Sequence, residues 1–172
     1  MCRLARVRTI YLASDYGFTE AGSHFLEAVL LPGLLRCGIR VLDPWRTKED
    51  TARRLADMGD DPAQMRALNT ELAAANAADI RSSDAVVACM DGYDVDSGVA
   101  AEVGYAFALG KVVYGLRADV RPGGENAAAR VNLQVQYFVE ASGGSIHGTV
   151  GELLAALRQE IGDAGEHSPQ DA

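Results

Sequence analysis

Short apolar runs alternate along the chain with longer helical patterns, and this alternation restricts the fold. The clearest run is DAVVACMD at residues 84–91, an apolar segment bounded by polar turns. Similar strand patterns occupy residues 8–13, 39–45 and 111–117. Strands that alternate with helices form a parallel sheet with helices on both faces. The sequence therefore predicts an α/β fold with a doubly wound parallel sheet of four to five strands.

Four details refine this reading of the elements. Pro32 should kink or shorten the first long helix. The charged segment 46–61 is helical or a loop, and residues 132–146 begin as a helix or a strand; the pattern decides neither case. Thr149 and Glu152 have the spacing of a capping box, which predicts the start of the last helix.

Length and charge limit the classes of function. The 172 residues are predicted to form one domain at 1–161, followed by a polar, disordered tail at 162–172. The net charge of −8 argues against a nucleic-acid partner, which would require a basic surface. No apolar run approaches the roughly eighteen residues of a membrane span, and the amino-terminal residues do not resemble a signal peptide. Three cysteines without a CxxC pattern favour free thiols and a cytoplasmic protein.

The loops that follow the predicted strands indicate where a ligand would bind. In doubly wound folds, ligands bind beyond the carboxyl ends of the strands. The loops at those ends are SDYGF at 14–18, DPWR at 43–46 and DGYDVDSG at 91–98. We therefore expect these three loops to build the site.

Asp96 and Glu102 are the strongest candidates for chemistry. Asp96 ends the third loop, and Glu102 lies about one turn into the following helix, within an apolar stripe. The helix dipole stabilises a carboxylate near the helix N-terminus, and an ionised carboxylate suits a nucleophile. Helix statistics alone favour a solvent-facing glutamate without a catalytic role.

Other motifs point to no metal and no cofactor. The three histidines have no ligand spacing with one another or with cysteine. Ser97 lacks the G-x-S-x-G context of a hydrolase nucleophile. The RPGG run at 121–124 is a turn and lacks the Lys-Ser/Thr ending of a phosphate-binding loop.

The segment DSGVAAEVGYAFALGK at 96–111 resembles the signature of the nucleoside 2-deoxyribosyltransferase family, D-x-G-T-x-x-E-x-G-Y-A. Three further segments resemble family elements in the same order: TIYLAS at 9–14, NAADIRSSDAVVACMDG at 76–92 and NLQ at 132–134. The resemblance implies a flavodoxin-like fold. It also implies cleavage of the N-glycosidic bond of a 2′-deoxynucleoside and transfer of the sugar to a free nucleobase.

The resemblance assigns the catalytic roles. Glu102 would be the nucleophile and would form a deoxyribosyl ester, as in a retaining glycosidase. Asp96 would bind sugar hydroxyls and orient the ring. Tyr11, at the end of the first strand, would contact the nucleophile or the sugar.

The resemblance also assigns substrate-binding residues. Asn76 would lie near the base, where some relatives carry an aspartate that protonates the leaving ring; an amide cannot supply that proton. Independently of the resemblance, Trp45 lies where a loop could stack on a base, although core or surface packing is an equal alternative. Asp91 and Gly98 complete the predicted group. Asn132 resembles a residue that the family supplies across a subunit interface, which implies a homo-oligomer with shared sites.

The sequence departs from the family at three places, and two other readings stay open. Val99 replaces threonine, Gln134 replaces methionine, and the tail has no aromatic carboxyl terminus. One alternative is a hydrolase of the same fold that acts on nucleosides or monophosphates, although residues 14–18 offer little of a phosphate cradle. The other is a non-catalytic flavodoxin-like module that binds FMN or a signalling nucleotide, in which Glu102 would have no purpose.

Overall fold

The computed structural model describes residues 7–162. These residues contain a five-stranded sheet of order β2-β1-β3-β4-β5, in which every neighbouring pair is parallel. The strands are β1 Thr9–Ala13, β2 Arg40–Leu42, β3 Ala85–Cys89, β4 Val112–Leu116 and β5 Ile146–His147. This strand order is the flavodoxin-like one. The predicted doubly wound α/β fold is confirmed.

Helices cover both faces of the sheet. They are α1 Glu20–Phe25, a π-helical turn Leu26–Leu30, α2 Leu31–Arg36, α3 Lys48–Met58, α4 Pro62–Ser82, α5 Ser97–Ala108, α6 Leu133–Ala141 and α7 Val150–Gly162. Alternate strand residues point to opposite faces, so the sheet has two cores. Ile10 and Val87 pack with the α1–α2 region and α7, whereas Val86 and Val113 pack with α4, α5 and α6.

The structure decides the segments that the pattern left open. Residues 46–61 contain the end of a 3₁₀ turn, Pro44–Thr47, and helix α3. Residues 132–146 contain α6 and the first residue of β5. Apart from Gly162, the predicted tail at 162–172 lies outside the described residues.

Pro32 and the last helix follow the local rules. The π-helical turn Leu26–Leu30 directly precedes α2, where Pro32 lies in the first turn. A proline ring clashes with the carbonyl four residues earlier in a regular α-helix, and the wider π turn makes room for the ring. At α7 the Thr149 hydroxyl accepts from the Glu152 amide at 3.2 Å, so the predicted cap is present. Across residues 7–162, no helix combines the length and apolar character that crossing a bilayer would require.

Candidate active site

A cavity of about 550 Å³ opens beside the carboxyl edge of the sheet. Its walls come from the loop after β1, the 3₁₀ turn Pro44–Thr47, α3, α4 and the first half of α5. Five of the eight predicted site residues line it: Trp45, Asn76, Asp96, Gly98 and Glu102. The volume is that of an ordinary small-molecule site. The structure therefore brings most of the predicted residues into one space.

Glu102 accepts a hydrogen bond from Tyr11. The Tyr11 side chain is completely buried in β1, and its hydroxyl donates to Glu102 Oε1 at 2.5 Å. Burial raises the pKa of the Glu102 carboxyl, the Tyr11 hydrogen bond lowers it, and the nearby Asp96 charge raises it. Burial and the Glu102 charge raise the pKa of Tyr11, so the phenol stays a neutral donor. Glu102 Oε2 has no hydrogen-bond partner within residues 7–162 and is free for a ligand.

The helix position of Glu102 corrects one expectation. Glu102 is the sixth residue of α5, and the first turn of that helix contains no acidic side chain. The dipole acts mainly within the first turn, so it does not explain an ionised Glu102. Burial in fact raises the pKa of this group. The Tyr11 hydroxyl, which the chain places 91 residues away, is the contact that favours the carboxylate.

Asp96 caps α5 and faces the cavity. Its Oδ2 accepts from the Gly98 amide at 2.8 Å and from the Val99 amide at 3.2 Å. A Cβ at Gly98 would lie 3.0 Å from this oxygen, so glycine gives the carboxylate its space. Oδ1 has no partner within the described chain and remains available to a ligand. The Val99 side chain is 2% exposed and packs into the core.

Trp45 forms an aromatic wall of the cavity. Its indole Nε1 donates to the Ser14 carbonyl oxygen at 2.8 Å. The Phe18 ring meets it edge-on with centroids 4.6 Å apart, and the Lys48 Nζ lies 5.8 Å from the indole centroid. Pro44, Leu55 and Leu72 extend the apolar lining. A wall of this kind suits a flat heterocyclic ring.

A family model described as nucleoside 2-deoxyribosyltransferase matches residues 10–134, which is more than half of the chain. The chain belongs to this family. The match spans every cavity residue from Ser14 to Glu102, together with Tyr11. The resemblance seen in the signature at 96–111 is thus confirmed at the level of the family. No curated protein sequence matches the chain.

Solved structures share the fold of this nucleoside 2-deoxyribosyltransferase family member. A conserved protein from Enterococcus faecalis V583 superposes with a TM-score of 0.65 at 25% identity, over 89% of this chain and 98% of that one. A 2-deoxyribosyltransferase from Bacillus psychrosaccharolyticus gives 0.61 at 21% identity, over 87% and 95%. A CMP N-glycosidase from Clostridium botulinum gives 0.52 at 20% identity, over 88% and 99%.

Asp91 lies outside the cavity of this family member. Its Oδ2 accepts from the Tyr16 hydroxyl at 2.7 Å, and its Oδ1 accepts from the Asp119 amide at 2.8 Å. These bonds join the loops that follow β1, β3 and β4. Asp91 therefore connects loops next to the site and is not among the residues that line the cavity. Its contact with substrate stays a prediction.

Asn132 also lies away from the cavity of its own chain. It caps α6, where its Oδ1 accepts from the Gln134 amide at 3.0 Å. Its Nδ2 donates to Glu125 Oε1 at 2.8 Å. Its predicted contact with the sugar of a second subunit stays a prediction.

Ser14 and Phe18 line the cavity and belong to the predicted loop at 14–18, whereas Lys48, Asn69 and Leu72 lie outside the predicted loops and residues. Lys48 belongs to the segment whose structure the pattern left open. Asn69, Leu72 and Asn76 have helical spacing along α4, so they share one face. This spacing is visible in the sequence and links Asn69 to Asn76 as a second candidate on the same face.

The Trp45 indole packs against Gly17, where there is no room for a side chain. A Cβ at Gly17 would lie 2.0 Å from Trp45 Cδ2, in the middle of the indole. We expect Gly17→Ala to displace Trp45 and to destabilise the protein by about 1–3 kcal/mol. Thermal unfolding measures the loss, and the fluorescence of Trp45, the single tryptophan, reports the displacement.

Gly151→Ala is the matched control. Gly151 lies in α7, and a Cβ there meets nothing closer than 3.8 Å. Alanine favours a helix over glycine, so this variant should unfold at the same or a higher temperature. An unchanged fluorescence spectrum and melting temperature in Gly17→Ala would contradict the packing of Trp45 described here.

Proposed function

We propose that the protein is a nucleoside 2-deoxyribosyltransferase that forms a covalent deoxyribosyl ester on Glu102. One observation carries the proposal: the Glu102 carboxylate is held at 2.5 Å by a buried phenol and lines a cavity together with Asp96. Membership of the family supports nucleoside glycosyl chemistry in general. The residues of this cavity support the more specific proposal.

In the first step, Glu102 Oε2 attacks the anomeric carbon from the face opposite the base. The bond between the anomeric carbon and the base nitrogen breaks, and its electron pair leaves with the base. Asp96 Oδ1 accepts from a sugar hydroxyl, which fixes the ring beside the nucleophile. Apart from Glu102, Asp96 is the sole carboxyl group among the lining residues of the described chain, so water protonates the leaving base.

In the second step, a nitrogen of the acceptor base attacks the anomeric carbon and displaces Glu102. The electron pair of the ester bond returns to the carboxylate, and the acceptor gives its proton to water. Tyr11 assists here, because its hydroxyl stabilises the carboxylate that leaves. Two displacements retain the configuration of the sugar.

The wider biological setting is part of the same proposal. We expect a homo-oligomer in which Asn132 reaches the site of a second subunit. Leu133 and Tyr137 on the same helix are 55% and 57% exposed, which supports an interface there. We also expect a cytoplasmic role in nucleotide salvage; the free thiols of Cys37 and Cys89 suit a reducing compartment.

The test incubates the protein with deoxyinosine and adenine and separates the products by chromatography. Formation of deoxyadenosine supports the transferase. Release of hypoxanthine without formation of deoxyadenosine would show that the protein is a hydrolase and not a transferase. Absence of turnover over a panel of purine and pyrimidine deoxynucleosides would reject both.

A nucleotide N-glycoside hydrolase is the second candidate, and Lys48 favours it. Lys48 lines the cavity, and its ammonium donates to the Gly17 carbonyl at 2.5 Å and to Ser23 Oγ at 3.0 Å. An ammonium has three donors, so one remains for an anionic ligand. The structural likeness to a CMP N-glycosidase agrees with a phosphate-bearing substrate.

Replacing Lys48 separates the two candidates. For a 5′-monophosphate, Lys48→Gln should lower kcat/KM about tenfold or more, because a charge-assisted hydrogen bond is lost. For the matching nucleoside the change should stay within about threefold. Arg53→Gln is the control, since Arg53 is on the same helix and pairs with Asp50 at the surface. Equal losses on both substrates would show that Lys48 only holds the Gly17 loop.

A further inference from the structure

Two asparagines form a row along the cavity side of α4. Asn69 and Asn76 both line the cavity, and Leu72 lies between them on the same face. Seven helical residues separate their Cα atoms by about 10 Å. Neither carboxamide forms a hydrogen bond with another group in residues 7–162. Four donors and two carbonyl oxygens are therefore available to a ligand.

Asn76, at one end of the row, lies at the same level above the amino edge of the sheet as Glu102. Asn76 lies six residues before the end of α4 at Ser82, and Glu102 lies six residues before the end of α5 at Ala108. Both helices pack on the same face of the sheet and end at its amino edge. Asn76 is thus level with the nucleophile. Asn69 is about two turns nearer the opening.

The wall formed by the loop after β1, the 3₁₀ turn and α3 suits a flat ring. The cavity is lined by Phe18 from the loop after β1, by Trp45 from the 3₁₀ turn and by Leu55 from α3. A heterocycle between this wall and Leu72 would have apolar contacts on both of its faces. Its edges would then be directed towards the two carboxamides.

From this geometry we propose that Asn76 and Asn69 form hydrogen bonds with the nucleobase, Asn76 near the glycosidic bond and Asn69 farther from it. We also propose that the site prefers purines. The inference rests on the proposed function, because it places the anomeric carbon at Glu102. A base attached there meets Asn76 with its nearer edge. Only a fused two-ring base extends far enough towards the opening to meet Asn69 as well.

Carboxamide chemistry fits this class of base. One amide presents a donor and an acceptor side by side, which matches the N7 and 6-amino pair of adenine. Rotation of the amide lets it donate to the 6-oxo group of hypoxanthine or guanine. A one-ring pyrimidine retains the Asn76 contact and lacks the second. Asn69 is therefore a specificity-determining residue.

Trp45 fluorescence tests the inference without turnover. Deoxyadenosine and deoxycytidine are titrated separately into Glu102→Ala protein and into its Asn69→Ala, Asn76→Ala and Thr70→Ala derivatives. Asn69→Ala should weaken deoxyadenosine binding about five- to tenfold and leave deoxycytidine within about twofold. Asn76→Ala should weaken both nucleosides. Thr70→Ala, next to Asn69 but bonded to its own helix at the Arg66 carbonyl, should weaken neither.

The outcomes distinguish a failure of the purine assignment from a failure of the proposed function. Equal effects of Asn69→Ala on the two nucleosides, or no effect on either, would overturn the purine assignment. If Glu102-dependent cleavage persisted in that case, the proposed function would stand. Selective loss of purine binding in a protein without glycosidic cleavage would support the inference about the base and reject the enzyme.

Discussion

Glu102→Ala should reduce turnover of deoxyinosine on the order of a thousandfold or more, because the variant has no nucleophile to form the ester. Binding should persist, since Trp45, Asn76 and Asp96 remain in the cavity. Steady-state kinetics measure the loss of turnover, and Trp45 fluorescence measures binding. Retention of full turnover by Glu102→Ala would exclude the mechanism.

Glu102→Gln is the control that keeps the fold. Its amide oxygen can still accept from the Tyr11 hydroxyl, while the charge is removed. Because burial raises the folded-state pKa of Glu102, the stability that this group contributes is present at low pH and is lost as pH rises through that pKa. At neutral pH the glutamine variant should therefore unfold at the same or a higher temperature than the wild type, although it is inactive.

Replacing Asp96 should give the second large effect. Asp96→Asn removes the charge and a strong acceptor for a sugar hydroxyl, so kcat/KM should fall about ten- to a hundredfold. Asparagine caps a helix as well as aspartate does, so the melting temperature should stay close to that of the wild type. Asp96→Ala should lose activity to a similar extent and also lose about 1 kcal/mol of stability, because the Gly98 and Val99 amides lose their acceptor.

The Asp96→Asn variant also tests the electrostatic coupling. The Asp96 charge raises the pKa of Glu102, so its removal should lower that pKa. The residual activity should then begin at a lower pH than in the wild type. A purely structural role of Asp96 would leave the acid limb of the pH profile unmoved, and such a result would contradict the assignment.

Fold and family could be predicted from local patterns. The apolar run at 84–91 became β3, and the loop before Glu102 lies at the carboxyl edge of the sheet. The short strand β5 could not be predicted, because its two residues form a strand only by pairing with Gly115 and Leu116. The formation of β5 therefore depends on strand residues that are distant from it in the sequence.

The site was predicted less completely, for a similar reason. Most predicted residues lie in one cavity, but the Asp91 side chain is bonded to other loops and does not line it. The environment of Glu102 was also misjudged. Its pKa depends on burial and on the hydrogen bond from Tyr11, a residue of strand β1, and the position of Glu102 in its helix reveals neither contribution.

The central claim is that the sugar is carried on Glu102. Protein incubated with deoxyinosine, without an acceptor base, is quenched in acid, digested and analysed by mass spectrometry. We expect a deoxyribosyl ester on the peptide that contains Glu102, and we expect it to disappear when adenine is added before the quench. Turnover without any adduct, or an adduct on another residue, would contradict it.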